Sequence, residues 1–142
     1  MNARRIVLGL LVVFLAIQVV PIERSNPPEG ERLQAPPSVE EILRRSCIDC
    51  HSNRTHWPWY SYVAPASWLV AHDVEEGREH LNFSTWGLYD EDEKIHHLEE
   101  IAEVIEDGEM PPWFYVPLHP EARLSEGDSA ALVRWAKDAA GN

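Results

Sequence analysis

Cys47-Ile48-Asp49-Cys50-His51 places both cysteines of a 142-residue chain within four positions of each other and sets a histidine directly after them. C-x-x-C-H is the attachment signature of c-type haem. Two thiols at this spacing add to the two vinyl groups of one porphyrin, and the adjacent imidazole then binds iron as the proximal ligand. Two other chemistries use close cysteines. A thioredoxin-like pair belongs near a βαβ pattern, and no run of alternating strand character occurs here. A structural zinc site needs four ligands, and the chain offers only scattered histidines beyond its single pair of cysteines. The motif therefore predicts one covalent haem c, held by Cys47 and Cys50, with His51 on the iron.

Haem iron has a second axial position. With Met1 set aside, Met110 is the one thioether available. It lies in Gly108-Glu109-Met110-Pro111-Pro112, where proline stiffens the backbone. Met/His ligation suits electron transfer. The competing role for Met110 is ordinary core packing. Among the other histidines, His119 on the last loop is the main rival ligand. Aromatic walls would bury the flat, apolar ring, and Trp57, Trp59, Tyr60 and Trp68 are the candidates. Arg54 and Arg78 match the geometry of haem propionates, or serve in surface ion pairs.

Around the motif the chain reads as helical. Ser38 and Glu41 form the pattern of a capping box opening a helix over 38–46. Helical spacing of apolar residues predicts further helices over 65–79 and 91–107, the latter stopped by Gly108. A second box, Ser125 to Asp128, opens the last helix. Residues 56–64 and 110–120 are loops rich in proline and tryptophan. The predicted fold class is all-α, a small cytochrome c-like helical domain over 38–142 with long loops around the haem.

Two segments precede that domain. Arg4 and Arg5 are followed by an apolar run over 6–20 broken only by Gly9 and Gln18. A charged start plus an apolar run reads as an export signal, and its length sits at the lower limit of a spanning helix. Residues 1–22 are expected to be an uncleaved single-pass anchor in the cytoplasmic membrane, the alternative being a cleaved signal, with Arg4 and Arg5 inside and the domain facing the periplasm or cell exterior. Residues 23–37, with Pro27-Pro28 and Pro36-Pro37, read as a stiff linker.

Charge narrows the partners. The chain carries 24 acidic against 12 basic side chains, a net of −12, and every acid lies at Glu23 or later. Nucleic acid binding rests on cations neutralising phosphates, so nucleic acid is excluded as a partner. Docking on an anionic lipid surface is disfavoured for the same reason. A redox protein with a basic docking face is the partner this charge favours.

Beyond the haem motif, Ser52-Asn53, Thr55, Trp57-Pro58-Trp59-Tyr60-Ser61, Ala64-Pro65, Ser67-Trp68-Leu69, Gly77-Arg78, Leu81-Asn82-Phe83-Ser84 and the closing Met110-Pro111 resemble the bacterial haem-binding domain family built around C-x-x-C-H. The resemblance covers roughly residues 25–140. It implies a small exported domain that binds c-type haem, often behind one membrane anchor. It implies no substrate. The expected function is one-electron transfer by a membrane-anchored monohaem protein, with a haem-based sensor or a peroxidase-like enzyme with an open distal iron site as the alternative. Asn53 and Asn82 also begin formal N-glycosylation patterns, a short and weak signal.

Overall fold

In the computed structural model, which describes residues 2–141, five α-helices follow one another: α1 Ala3–Ile17, α2 Pro37–Ser46, α3 Ala66–His80, α4 Glu91–Glu106 and α5 Glu126–Ala140. Short 3-10 helices occupy Trp59–Tyr62, Phe83–Leu88 and Pro120–Ala122. No strand occurs among the described residues, in keeping with the all-α expectation. Met1 and Asn142, the outer ends of the expected anchor and domain, lie outside the described residues.

The N-terminal helix is shorter than expected. Gln18 caps α1, and Pro21, which has no amide hydrogen to donate, follows closely. Fifteen residues at ~1.5 Å each give about 22 Å, against a hydrocarbon layer of about 30 Å. Among the described residues no helix is long and apolar enough to cross a membrane. The Leu and Val side chains of α1 are exposed, and none is buried against the domain.

The other helix starts follow local chemistry, with one correction. α2 opens on Pro37 at its first turn, after Pro36, and not on a Ser38 capping box. Proline is well suited to that position, since its fixed φ matches the helix and its missing donor is not needed there. Glu41 is thereby left to pair with Arg44, whose Nε donates to it at 2.8 Å. α4 has a full box in which Asp90 accepts the Glu93 amide and Glu93 the Asp90 amide, both at 2.9 Å. α4 ends in a Schellman turn: Gly108 has φ 71°, its amide donates to Ile105 and that of Glu109 to Val104. This turn delivers Met110 immediately after the helix. α5 begins as expected on the Ser125–Asp128 box.

α4 and α5 supply most of the core. Leu98, Ile101, Ala102 and Ile105 of α4 meet Leu132 and Ala136 of α5, and Val39, Ile42 and Leu43 of α2 close the same cluster. Arg45 locks α2 onto this pair. Its guanidinium lies 2.6 Å from Asp128 and donates to the carbonyls of Glu121 and Arg123.

Residues 23–37 run along the domain surface and are bonded to it. Arg24 donates to the Ser61 carbonyl, Asn26 to Thr55, and the amides of Gly30 and Leu33 donate to Ser84 and Phe83. The prolines keep this stretch extended, which exposes its backbone groups to partners on the domain.

Asp128 receives bonds from Ser125 and Arg45, which hold its carboxyl down at about 2. Its ordinary value is about 3.9. Its contribution to stability is therefore complete above pH ~4 and is lost as pH falls towards ~2. Acid unfolding of the wild type and Asp128→Asn should show a stability gap at pH 6 that closes between pH ~4 and ~2. A gap independent of pH would contradict this reading of the α2–α5 junction.

Candidate functional site

The cysteine motif continues α2 as a turn. The amides of Cys47 and Ile48 donate to Leu43, and those of Cys50 and His51 donate to Cys47. α3 crosses directly over this turn. A Cβ on Gly77 would meet the Cys50 carbonyl oxygen at 2.9 Å and its carbon at 3.1 Å, so only glycine allows the approach. Carbonyls freed by the turn are taken up by side chains. Ser52 donates to Ile48 at 2.7 Å, Thr55 to Asp49 at 2.7 Å, and Arg78 Nε to Ser52 at 2.7 Å.

His51 is oriented by its neighbour. Its Nδ1 lies 3.2 Å from the Leu81 carbonyl. A carbonyl only accepts, so Nδ1 carries the proton and Nε2 keeps a free lone pair. Burial lowers the affinity of this ring for a second proton, holding it neutral, the form that binds metal. Burial likewise pushes both Cys47 and Cys50 up to about 12. A thiol–disulfide enzyme needs the opposite shift, a stabilised thiolate.

Cys47 and His51 border two adjoining cavities of about 360 and 340 Å³. Ser46, His80 and Met110 lie on the wall of both. The first is apolar and backed by Leu43, Phe83, Ile101, Val104, Ile105 and Leu132. The second contains Cys50 with Asp73, Gly77, Phe114 and Tyr115. The structure thus brings Cys47, Cys50, His51 and Met110 to one cleft. Met110 is 37% exposed at its rim, not packed into the core.

The expected aromatic walls are elsewhere. Trp57 and Trp68 line a separate groove against Val20 and Ile22, because residues 20–25 run along α3. Trp59 is 78% exposed on its turn. Tyr60 lies on the far side of the motif, beside Asp49 and Cys50, and bonds to His119. The ring of His119 stacks on Tyr115 with centroids 4.0 Å apart, and Tyr115 donates to Asp49 at 3.0 Å. His119 is thereby occupied and borders neither cavity of the cleft. His80, at the end of α3, is the histidine that does. The cleft's apolar wall comes from the inner face of α4 and from Phe83. Helical spacing revealed that face, but nothing local showed that it looks onto the cysteines.

Arg78 is also used structurally. It donates to the Ser25 carbonyl, Asn26 and Thr55 as well as to Ser52, and Arg54 pairs with Glu29 at 3.5 Å. The two sequon asparagines are buried. Asn82 donates to Asn53 at 2.8 Å and Asn53 donates to the Pro28 carbonyl at 3.0 Å.

With neutral imidazole, paired thiols, a thioether and apolar walls around one cleft, the residues suit haem. Ser46 Oγ on its wall is buried without a hydrogen-bond partner. Residues 12–138 match the family described as Haem-binding domain. The chain belongs to this family. It is also 27% identical over 97 residues to the cytochrome c peroxidase Ccp of Escherichia coli, covering 66% of this chain but 21% of that protein's length. No solved structure matches the chain.

Gly77→Ala tests the α3 crossing. In an open helix this change stabilises by about 1 kcal/mol. Here the added methyl meets backbone, so the haem-binding domain should instead lose about 1–3 kcal/mol in chemical denaturation. Equal or higher stability would show that the helix can retreat from the motif.

Proposed function

We propose that this haem-binding domain is a monohaem c-type protein that carries one electron outside the cytoplasmic membrane. Cys47 and Cys50 would form the two thioether links, His51 Nε2 would be the proximal iron ligand and Met110 the distal one. The observation that carries this reading is the convergence of these four residues on one cleft, with His51 already held in the ligating tautomer by Leu81. Haem bound there supplies a one-electron couple at its iron.

The chain's own residues define the conditions for that couple. The Leu81 carbonyl keeps the His51 ring from rotating and raises its basicity. Leu43, Phe83, Ile101 and Ile105 give the lobe beside Cys47 an apolar wall that would keep water from haem held there. A dry site destabilises added charge and so tunes the potential. Met110 follows the Schellman turn of α4 and is itself followed by Pro111 and Pro112, so its position depends on the end of that helix.

Residues 1–22 would form the single-pass anchor, with the domain on the periplasmic or outer face. α1 is short for a span, and a thinned or locally indented bilayer would accommodate it. The net charge of −12 favours a redox partner with a basic docking face, attracted at low salt and screened at high salt.

A second reading is peroxidase-like. The relative from Escherichia coli is named a cytochrome c peroxidase, and Glu100, Glu109 and His80 share the cleft with a half-exposed Met110. Were Met110 not to bind iron, those groups would be available to hold or move a proton beside haem held in the cleft.

Absorption spectra of the oxidised haem-loaded protein separate the two. The wild type should be low-spin with a sulfur–iron band that Met110→Ala abolishes. A high-spin spectrum unchanged by Met110→Ala would remove the methionine ligand and favour the open-site reading.

A further inference from the structure

In a chain with 24 acidic residues, the stretch from Cys50 to His72 contains none, and Arg54 is its only formal charge. No other acid-free run beyond residue 22 is as long. Part of this stretch is an exposed apolar corner between the Trp59–Tyr62 turn and the start of α3. Tyr62 is 60% exposed and Leu69 53%, with Val63 and Trp68 also open to solvent.

The same corner is tied to the end of α1. The Gln18 side chain accepts the Ala64 amide at 2.9 Å and donates to the Ala64 carbonyl at 3.2 Å. Arg24, a few residues on, donates to the Ser61 carbonyl and lies 4.6 Å over the Tyr62 ring. An apolar, exposed helix and an apolar, exposed corner are therefore held side by side by Gln18.

We propose that this corner is a lipid-docking surface: Tyr62, Val63, Trp68 and Leu69 enter the interfacial layer of the bilayer beside α1. The proposal rests on the reading that α1 lies in the membrane. Trp and Tyr favour the headgroup level, where the ring is buried and its polar tip stays wet. The Arg24 guanidinium, held over the Tyr62 ring and bonded to the Ser61 carbonyl, sets a positive charge at the edge of the corner, where lipid phosphate would be attracted. The absence of carboxylates over residues 50–72 removes the repulsion that the rest of this acidic domain would meet at a lipid surface. Docking also offsets the shortness of α1. Val19 and Val20, exposed just after the helix, and the corner together extend the apolar height presented to the bilayer. The orientation of the haem cleft relative to the membrane then follows from Gln18 rather than from a free linker.

Photo-crosslinking tests this. A benzophenone amino acid replaces Leu11, Val63, Leu69 or Glu103 in the full haem-loaded chain, which is reconstituted into phosphatidylcholine vesicles and irradiated. Chain–lipid adducts are read by mass. Adducts at 11, 63 and 69, with none at 103, are the expected result. Adducts at 11 but at neither 63 nor 69 overturn the docking surface and leave the anchor intact. Adducts at none of the four overturn the anchor and the docking together. Adducts at 103 as strongly as at 69 show indiscriminate contact and overturn the docking. Two corner positions guard against one variant failing to fold.

Discussion

Gly77 lies against the Cys50 carbonyl so closely that no side chain fits between α3 and the cysteine turn. That approach governs the site. It brings the end of α3 near enough for the following Leu81 carbonyl to accept a hydrogen bond from His51 Nδ1, and it sets His80 on the cleft wall. Phe83, two residues further, donates its amide to the His51 carbonyl and presents its ring to the apolar lobe. One steric constraint thus fixes the tautomer of His51, its orientation and one side of the chamber it faces.

The polar residues around the turn make this closeness affordable in hydrogen-bond terms. Ser52, Asn53, Thr55, Asn82 and Ser84 are all buried, and each bonds to backbone or to another of the set. A buried donor left without a partner costs about 1–3 kcal/mol, so the set stands or falls as a network. Those same residues carry much of the family resemblance. Their task is to satisfy a non-helical backbone around the haem motif, not to touch the cofactor. Residues 23–37 complete the network through Pro28, Asn26 and Gly30, all within the residues that match the family.

What could be read from sequence was local. The Ser125–Asp128 cap, the Gly108 stop and the apolar face of α4 each depend on residues within a turn or two of one another, and each is found in place. The Ser38 box failed because Pro37 is better suited to the first turn than serine is to capping it, a competition between two local rules. Tryptophans were a poor guide to the cleft. Bulk and apolarity mark a residue for contact with something large, and Trp57 and Trp68 line the groove beside the segment after α1, not the cleft. His80 carried no local signal, since its role follows from where α3 ends relative to His51. Met110 was singled out by elimination, and the turn ending α4 is what brings it to the cleft wall.

Covalent attachment at Cys47 and Cys50 is the central claim. The most direct test is the mass of the chain purified, after export from a host competent in c-type haem maturation, under denaturing conditions that strip non-covalent haem. The mass should exceed that of the polypeptide by one haem, and Cys47→Ala with Cys50→Ala should abolish the increment. A bare polypeptide mass for the wild type, from cells whose own c-type cytochromes are loaded, would contradict it.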